Sequence, residues 1–211
     1  MNTLEIHDYH NFGYLKAKIP DEVRDALLEE VTSIQHNFNL STPRNEFLAG
    51  HIKHEYSLFT CVDILEKYII DLAYAYDKHY GYFKQIDILT NNLPMSMKHP
   101  WVNFQSKHEF NPNHNHKGML SFVIWLKIPY DLKDEQEKGP GVLGEKSIAS
   151  QFQFLYVNTL GRIATHQIPV DKTYENTIIL FPSKMIHCVY PFYTSDDYRI
   201  SVSGNIMLDV K

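Results

Sequence analysis

The sequence predicts an α+β chain that is mainly β, with two helices ahead of an antiparallel sandwich or barrel. Three features carry that expectation. Two stripes of apolar residues at helical spacing lie before residue 81. After that point short alternating or apolar segments follow one another with no helical stripe between them. A histidine pair, His114 and His116, stands at the entry to the apolar run from Met119 to Ile128, with His187 far downstream.

Residues 12–19 read as a short strand. Pro20 suits the start of a helix, and Asp21 and Glu22 suit the positive end of its dipole. Val23, Leu27, Val31 and Ile34 form one stripe on that helix. Residues 37–55 read as a polar loop broken by Pro43 and Gly50. Leu58, Val62, Leu65, Ile69, Leu72 and Tyr76 alternate steps of four and three, a second core-facing seam that ends near Gly81. Strands are then expected at 101–106, 118–128, 151–157, 162–170, 177–181 and 198–208. Residues 130–150 form a charged loop too long for a tight turn. The expected organisation is a single domain over 1–211, with 1–85 as a helical support and 86–211 as the β core.

Composition narrows the function classes. A formal net charge of −5 gives no global drive toward nucleic acid, and no stretch is long and apolar enough to span a membrane. The first residues lack a basic-then-apolar leader pattern, and the two cysteines, Cys61 and Cys188, read as free thiols. A cytoplasmic location is therefore expected, a host's cytoplasm for a phage-encoded chain.

In a strand, residues i and i+2 point to one face, so His114 and His116 can aim two imidazoles at one point and a neighbouring strand can add His187. Imidazole suits iron, zinc, copper and nickel. The last segment has polar parity: Arg199, Ser201, Ser203 and Asn205 alternate with Tyr198, Ile200 and Val202. A solvent face explains this pattern, and so does a lumen holding a polar ligand with Arg199 as an anion clamp. Asn103 and Gln105 share that parity and suit the same lumen. Cys188 follows His187 directly, and parity points it away from the histidines.

Three blocks together, 111–126, 180–183 and 199–205, resemble the iron(II)- and 2-oxoglutarate-dependent dioxygenases, in particular the prolyl-4-hydroxylase-like set and phage-type 2OG-Fe(II) oxygenases. The resemblance implies a double-stranded β-helix (jelly-roll) core with the N-terminal helices packed outside. It maps His114 and His187 onto the metal histidines, and Arg199 and Ser201 onto the residues that hold the distal carboxylate of 2-oxoglutarate. Trp125 falls where relatives often carry an aromatic that walls the co-substrate pocket, and a plain core tryptophan is the other reading. Asn103 joins them as a cofactor-binding candidate. The departure is His116, where most members carry a carboxylate; a three-histidine set results, unless Glu109 or Asp131 reaches in from a loop. Gly118 leaves room for a bulge that re-aims the strand after the ligands.

The implied reaction uses Fe(II), 2-oxoglutarate and O2, releases succinate and CO2, and hydroxylates a C–H bond of a peptidyl or amino-acid-like substrate. The loop from Tyr130 to Ser150 is a candidate lid with Gly139-Pro140-Gly141 as its hinge, or a plain surface insertion. Two other readings stand beside this one: a cupin-like metal- or sugar-binding jelly roll, and a catalytically dead oxygenase fold used as an interaction module.

Overall fold

The computed structural model describes residues 5–7, 11–44, 50–86, 94–140 and 147–209. In chain order its elements are β1 (Leu15–Lys18), α1 (Asp21–His36), β2 (His54–Ser57), α2 (Val62–Tyr80), β3 (Met95–Gln105), β4 (Asn111–His114) and β5 (Leu120–Lys127). Then come α3 (Leu132–Lys138), β6 (Phe152–Val157), β7 (Ile163–Ile168), β8 (Thr177–Pro182), β9 (Ile186–Val189) and β10 (Arg199–Leu208).

The strands form two sheets, one of six in the order β1-β8-β5-β10-β3-β2 and one of four in the order β4-β9-β6-β7. From β3 onward the chain crosses between them in the pattern of a jelly roll, with β6 and β7 forming a hairpin within the small sheet, and every pairing is antiparallel. The strands β1 and β2, both from the first 85 residues, extend the large sheet at its two edges.

The large sheet is buried on both faces. Phe122, Ile124, Ile178, Leu180 and Val202 pack with Val23, Leu27, Leu65 and Ile69 of the two long helices. Val123, Trp125, Ile179 and Phe181 point the other way and pack with Phe152, Phe154 and Ile168 of the small sheet. Double burial explains why β5 reads as an unbroken apolar run, where a half-exposed strand would alternate.

The expected stripe of α1 is buried as read. The second stripe is only partly helical: α2 starts at Val62, its buried residues are Leu65, Ile69, Ala73 and Tyr76, and Leu58 is buried ahead of it. Gly81 ends α2 with φ +61°, a left-handed cap that glycine adopts without steric cost. The start of α2 is capped from another element. The Glu30 carboxylate of α1 accepts hydrogen bonds from the backbone N–H groups of Phe59, Thr60 and Cys61.

Four elements differ from the sequence reading. Strand β2 falls at the end of the expected 37–55 loop, where His54-Glu55-Tyr56-Ser57 is too short and polar to read as a strand. Helix α3 lies inside the expected 130–150 loop, and its seven residues show no apolar stripe. Strands β4 and β9, of four residues each, were not separated from their surroundings. The large sheet carries a register shift between Ser203 and Asn205; the extra residue lies on β3, between Lys98 and Trp101, so β10 keeps its parity through it.

Glu30 is opposed by desolvation, yet its three backbone donors hold its carboxyl below the usual glutamate range. Its stabilising effect is therefore present above that range and lost as pH falls through the depressed value. Glu30→Gln is expected to cost about 1–3 kcal/mol at neutral pH, a fall in Tm of about 2–4 °C per kcal/mol. Thermal melts of both proteins should show the gap narrowing as pH drops below the carboxylate range.

Candidate metal centre

Strand β4 lies beside β9 with His114 opposite His187, and β6 flanks β9 on the other side with Phe154 opposite His187. His116 lies beyond the end of β4, so its convergence comes from the turn that follows and not from strand parity. That turn is tied down at Ser183, which is fully buried. The His116 N–H donates to the Ser183 carbonyl (2.8 Å), and the Ser183 N–H donates to the Met119 carbonyl (2.9 Å). The Ser183 and Ser121 hydroxyls share a hydrogen bond, and Ser121 donates to Asn205 Oδ1. Gly118 (φ +103°) sits where a Cβ would meet the Ile206 carbonyl at 2.6 Å, so a tight turn, not a strand bulge, is what it permits.

The three imidazoles converge. One potential donor atom from each of His114, His116 and His187 lies within 4.8 Å of the others. The His114 and His187 rings are 4.2 Å apart between centroids, and the Phe152 ring stacks on His187 at 5.3 Å. His114 Nδ1–H donates to the Pro112 carbonyl (2.7 Å) and His187 Nδ1–H to the Met185 carbonyl (3.0 Å). A carbonyl accepts only from a protonated nitrogen, so each ring turns a lone pair on Nε2 toward the cluster. Burial depresses all three rings. Desolvation and the neighbouring His114 bring His116 down to about 4, and desolvation with the same neighbour brings His187 down to about 3. The rings are thus neutral nitrogen donors, the state in which imidazole binds a metal.

These rings line one cavity with Asn103, Trp125, Ser201, Ser203 and Arg199. The β10 face that reads as either solvent or lumen is therefore lumen at Arg199, Ser201 and Ser203. Trp125 is buried, packs edge-on to Phe152 and Tyr174, and borders the cavity as well as the core. Asn103 Nδ2 donates to the Ser201 hydroxyl (3.3 Å), and Trp101 Nε1 donates to Asn103 Oδ1 (3.2 Å). Arg199 is 2 % exposed. Its Nε–H and Nη2–H both donate to Gln105 Oε1 (3.1 and 2.7 Å). Its other N–H groups reach the Tyr130 hydroxyl and the carbonyls of Ser150 and Tyr190. Among the described residues no carboxylate pairs with it.

The carboxylates suggested from loops do not join the histidines. Glu109 accepts from the N–H groups of Lys53 and Ser106, and Asp131 caps α3 through the Lys133 N–H. Glu55, on β2, does line the cavity. Desolvation and Glu109 push its carboxyl up to about 7 against the pull of Arg44. Asn111 Oδ1 is buried in the same wall with no hydrogen-bond partner among the described residues. Cys188 accepts from Gln153 and stands outside the cluster.

The described part of the candidate lid is anchored. Glu135 of α3, fully buried, accepts from the N–H groups of Tyr193 and Thr194. Of the Gly139-Pro140-Gly141 hinge, Gly141 lies outside the described residues, as do 142–146.

Several residues of the site were not singled out from the sequence. Ser183 carries its signal in the Phe181-Pro182-Ser183 block. Ser121 is the lone hydroxyl in the apolar run. Tyr130, Ser150 and Tyr190 hold Arg199 from positions that have no common pattern.

A family profile described as "Putative 2OG-Fe(II) oxygenase" matches residues 99–205, just over half of the chain. Solved structures share the fold at low identity. A Pseudomonas putida prolyl-4-hydroxylase is 13 % identical with TM-score 0.56, covering 94 % of each chain. AviO1 from Streptomyces viridochromogenes is 9 % identical with TM-score 0.55, covering 94 % of this chain and 90 % of that one. OsALKBH1 is 12 % identical with TM-score 0.54, covering 94 % and 98 %. No curated protein matches the chain.

Replacing His114 or His187 by Ala is expected to abolish stoichiometric Fe(II) binding in anaerobic equilibrium dialysis. His166→Ala, at an exposed histidine of β7, should bind like the parent.

Proposed function

Given that the chain belongs to the 2OG-Fe(II) oxygenase family, we propose that it hydroxylates a C–H bond of a peptidyl or amino-acid-like substrate. In this reading His114, His116 and His187 hold the metal, and Arg199 holds the far carboxylate of 2-oxoglutarate. The observation that carries it is one cavity bordered by three neutral imidazoles and by a buried guanidinium with no carboxylate partner among the described residues.

The donor set fits Fe(II). Three neutral imidazoles, two of them (His114 and His187) oriented by backbone carbonyls, are competent ligands for a first-row divalent metal. Among the described residues no carboxylate joins them, so the site leaves a bound cation's charge uncancelled and favours an anionic co-substrate. Bound Fe(II), with 2-oxoglutarate and O2 as co-substrates, supplies the oxidising chemistry of this family and releases succinate and CO2.

The chain's own residues do the rest. Arg199 is a cation removed from water, a costly state that a carboxylate ligand relieves. Its planar fork matches a carboxylate bidentately. Ser201, oriented by Asn103, offers a hydroxyl beside that fork. Trp125 and Phe152 line the same cavity and give it an apolar wall. In the same cavity lining, the Asn111 carboxamide oxygen lacks a donor among the described residues, and Glu55 adds a carboxyl. Such a wall suits the N–H groups of a peptide or an amino acid. The shared fold with a prolyl-4-hydroxylase supports a peptidyl substrate, and the net charge of −5 disfavours nucleic acid.

Anaerobic addition of Fe(II) and then 2-oxoglutarate should give the weak visible charge-transfer band of a chelated 2-oxo acid. Arg199→Ala should raise the 2-oxoglutarate concentration needed for that band by at least about 30-fold, the ~2 kcal/mol lower bound for breaking a buried charged contact. Absence of the band in the parent, or an unchanged titration in the variant, contradicts the reading. In air, a +16 mass shift should appear on a member of a peptide and amino-acid panel; a product on nucleotides alone would overturn the substrate class.

A further inference from the structure

All five guanidinium N–H groups of Arg199 already have acceptors, so a carboxylate reaching it must displace one. The four acceptor groups are not equivalent. The Ser150 and Tyr190 carbonyls are backbone atoms, in segments tied together by Ser150 N–H to Pro191 O and Tyr190 N–H to Gln151 O, each 2.8 Å. The Tyr130 hydroxyl is buried and bonded to the Val170 carbonyl as well. Only Gln105 among them borders the cavity that the three histidines share. It also holds the fork itself, with one oxygen bridging Nε–H and Nη2–H at 3.1 and 2.7 Å.

One neutral oxygen shared between two donors is a poor match for that fork. A carboxylate offers two oxygens, one to each N–H, and brings the charge that the buried cation lacks. Gln105 can yield because its carboxamide is a side-chain group free to rotate; its amide end donates to the Glu109 carbonyl, and swinging the oxygen off the fork turns or breaks that bond as well.

We propose that the Gln105 carboxamide is a displaceable occupant of the Arg199 fork, which keeps the guanidinium satisfied before ligand arrives and which the distal carboxylate of 2-oxoglutarate pushes aside. This rests on the reading that Arg199 receives that carboxylate. Gln105 then weakens diacid binding by the cost of its own displacement, and leaves untouched a 2-oxo acid with no second carboxylate.

The test is calorimetric titration of 2-oxoglutarate, and separately of pyruvate, into Mn(II)-loaded protein under argon, where no turnover occurs. Gln105→Ala should bind 2-oxoglutarate at least about tenfold more tightly, the ~1.5 kcal/mol lower bound for a hydrogen bond to a charged group. Gln105→Glu, nearly isosteric, places a tethered carboxylate on the fork and should weaken 2-oxoglutarate by at least about tenfold, since charge-assisted bonds are the stronger kind. Pyruvate should bind equally to all three proteins. Weaker or unchanged 2-oxoglutarate binding in Gln105→Ala, with Arg199→Ala strongly impaired, would make Gln105 a support for Arg199 and overturn the proposal alone. Unimpaired binding in Arg199→Ala would overturn the underlying reading and the proposal with it. Should Gln105→Ala melt too low to titrate, Gln105→Glu decides: parent-like affinity there overturns the proposal.

Discussion

Ser183 makes two backbone hydrogen bonds on which the rest of the site depends. Through its carbonyl it fixes the residue that carries the second imidazole, and through its N–H it fixes the end of the same turn at Met119. Strand pairing alone brings His114 and His187 together, because β4 and β9 are neighbours. It cannot deliver His116, which lies past the end of β4. The turn between β8 and β9 therefore does two jobs: it starts the strand that bears His187, and it holds the loop that bears His116. The Pro182 carbonyl, which accepts from the Met185 N–H at 2.9 Å, closes that turn tightly enough for both.

A second constraint is electrostatic. The cavity is lined by three imidazoles and a buried cation, and among the described residues no carboxylate joins the imidazole cluster or pairs with the guanidinium. A chain folded for stability alone gains little from a guanidinium removed from water without an anion. The arrangement makes sense if anionic ligand and metal complete it together. The three-histidine set strengthens this, since a protein carboxylate beside the metal would compete for the charge that draws a diacid in.

Much of this is legible in the sequence, for physical reasons that differ by residue. His114 and His187 announce themselves as polar rings at the ends of apolar segments. Arg199 and Ser201 show through alternation, because a strand lining a polar lumen must place its polar side chains at every second position. The double burial of β5 shows as an unbroken apolar run. What the sequence hides is whatever depends on short pieces and long-range contact. Strand β4 contains Pro112 and has four residues, so no period can be measured on it. Helix α3 is held by the buried Glu135 reaching the segment before β10, a contact of 58 positions' separation. The Glu30 cap on α2 spans about thirty positions and leaves no local signature. Gln105 shows its parity on β3 but not its partner.

The most direct single measurement is a crystal structure of the protein with Mn(II) and 2-oxoglutarate grown without oxygen. The account predicts one metal ion bound by imidazole nitrogens of His114, His116 and His187 and by no protein carboxylate. It also predicts the diacid's far carboxylate on Nε and Nη2 of Arg199. A metal held by two of these histidines with an acidic side chain, or a diacid bound away from Arg199, would contradict it.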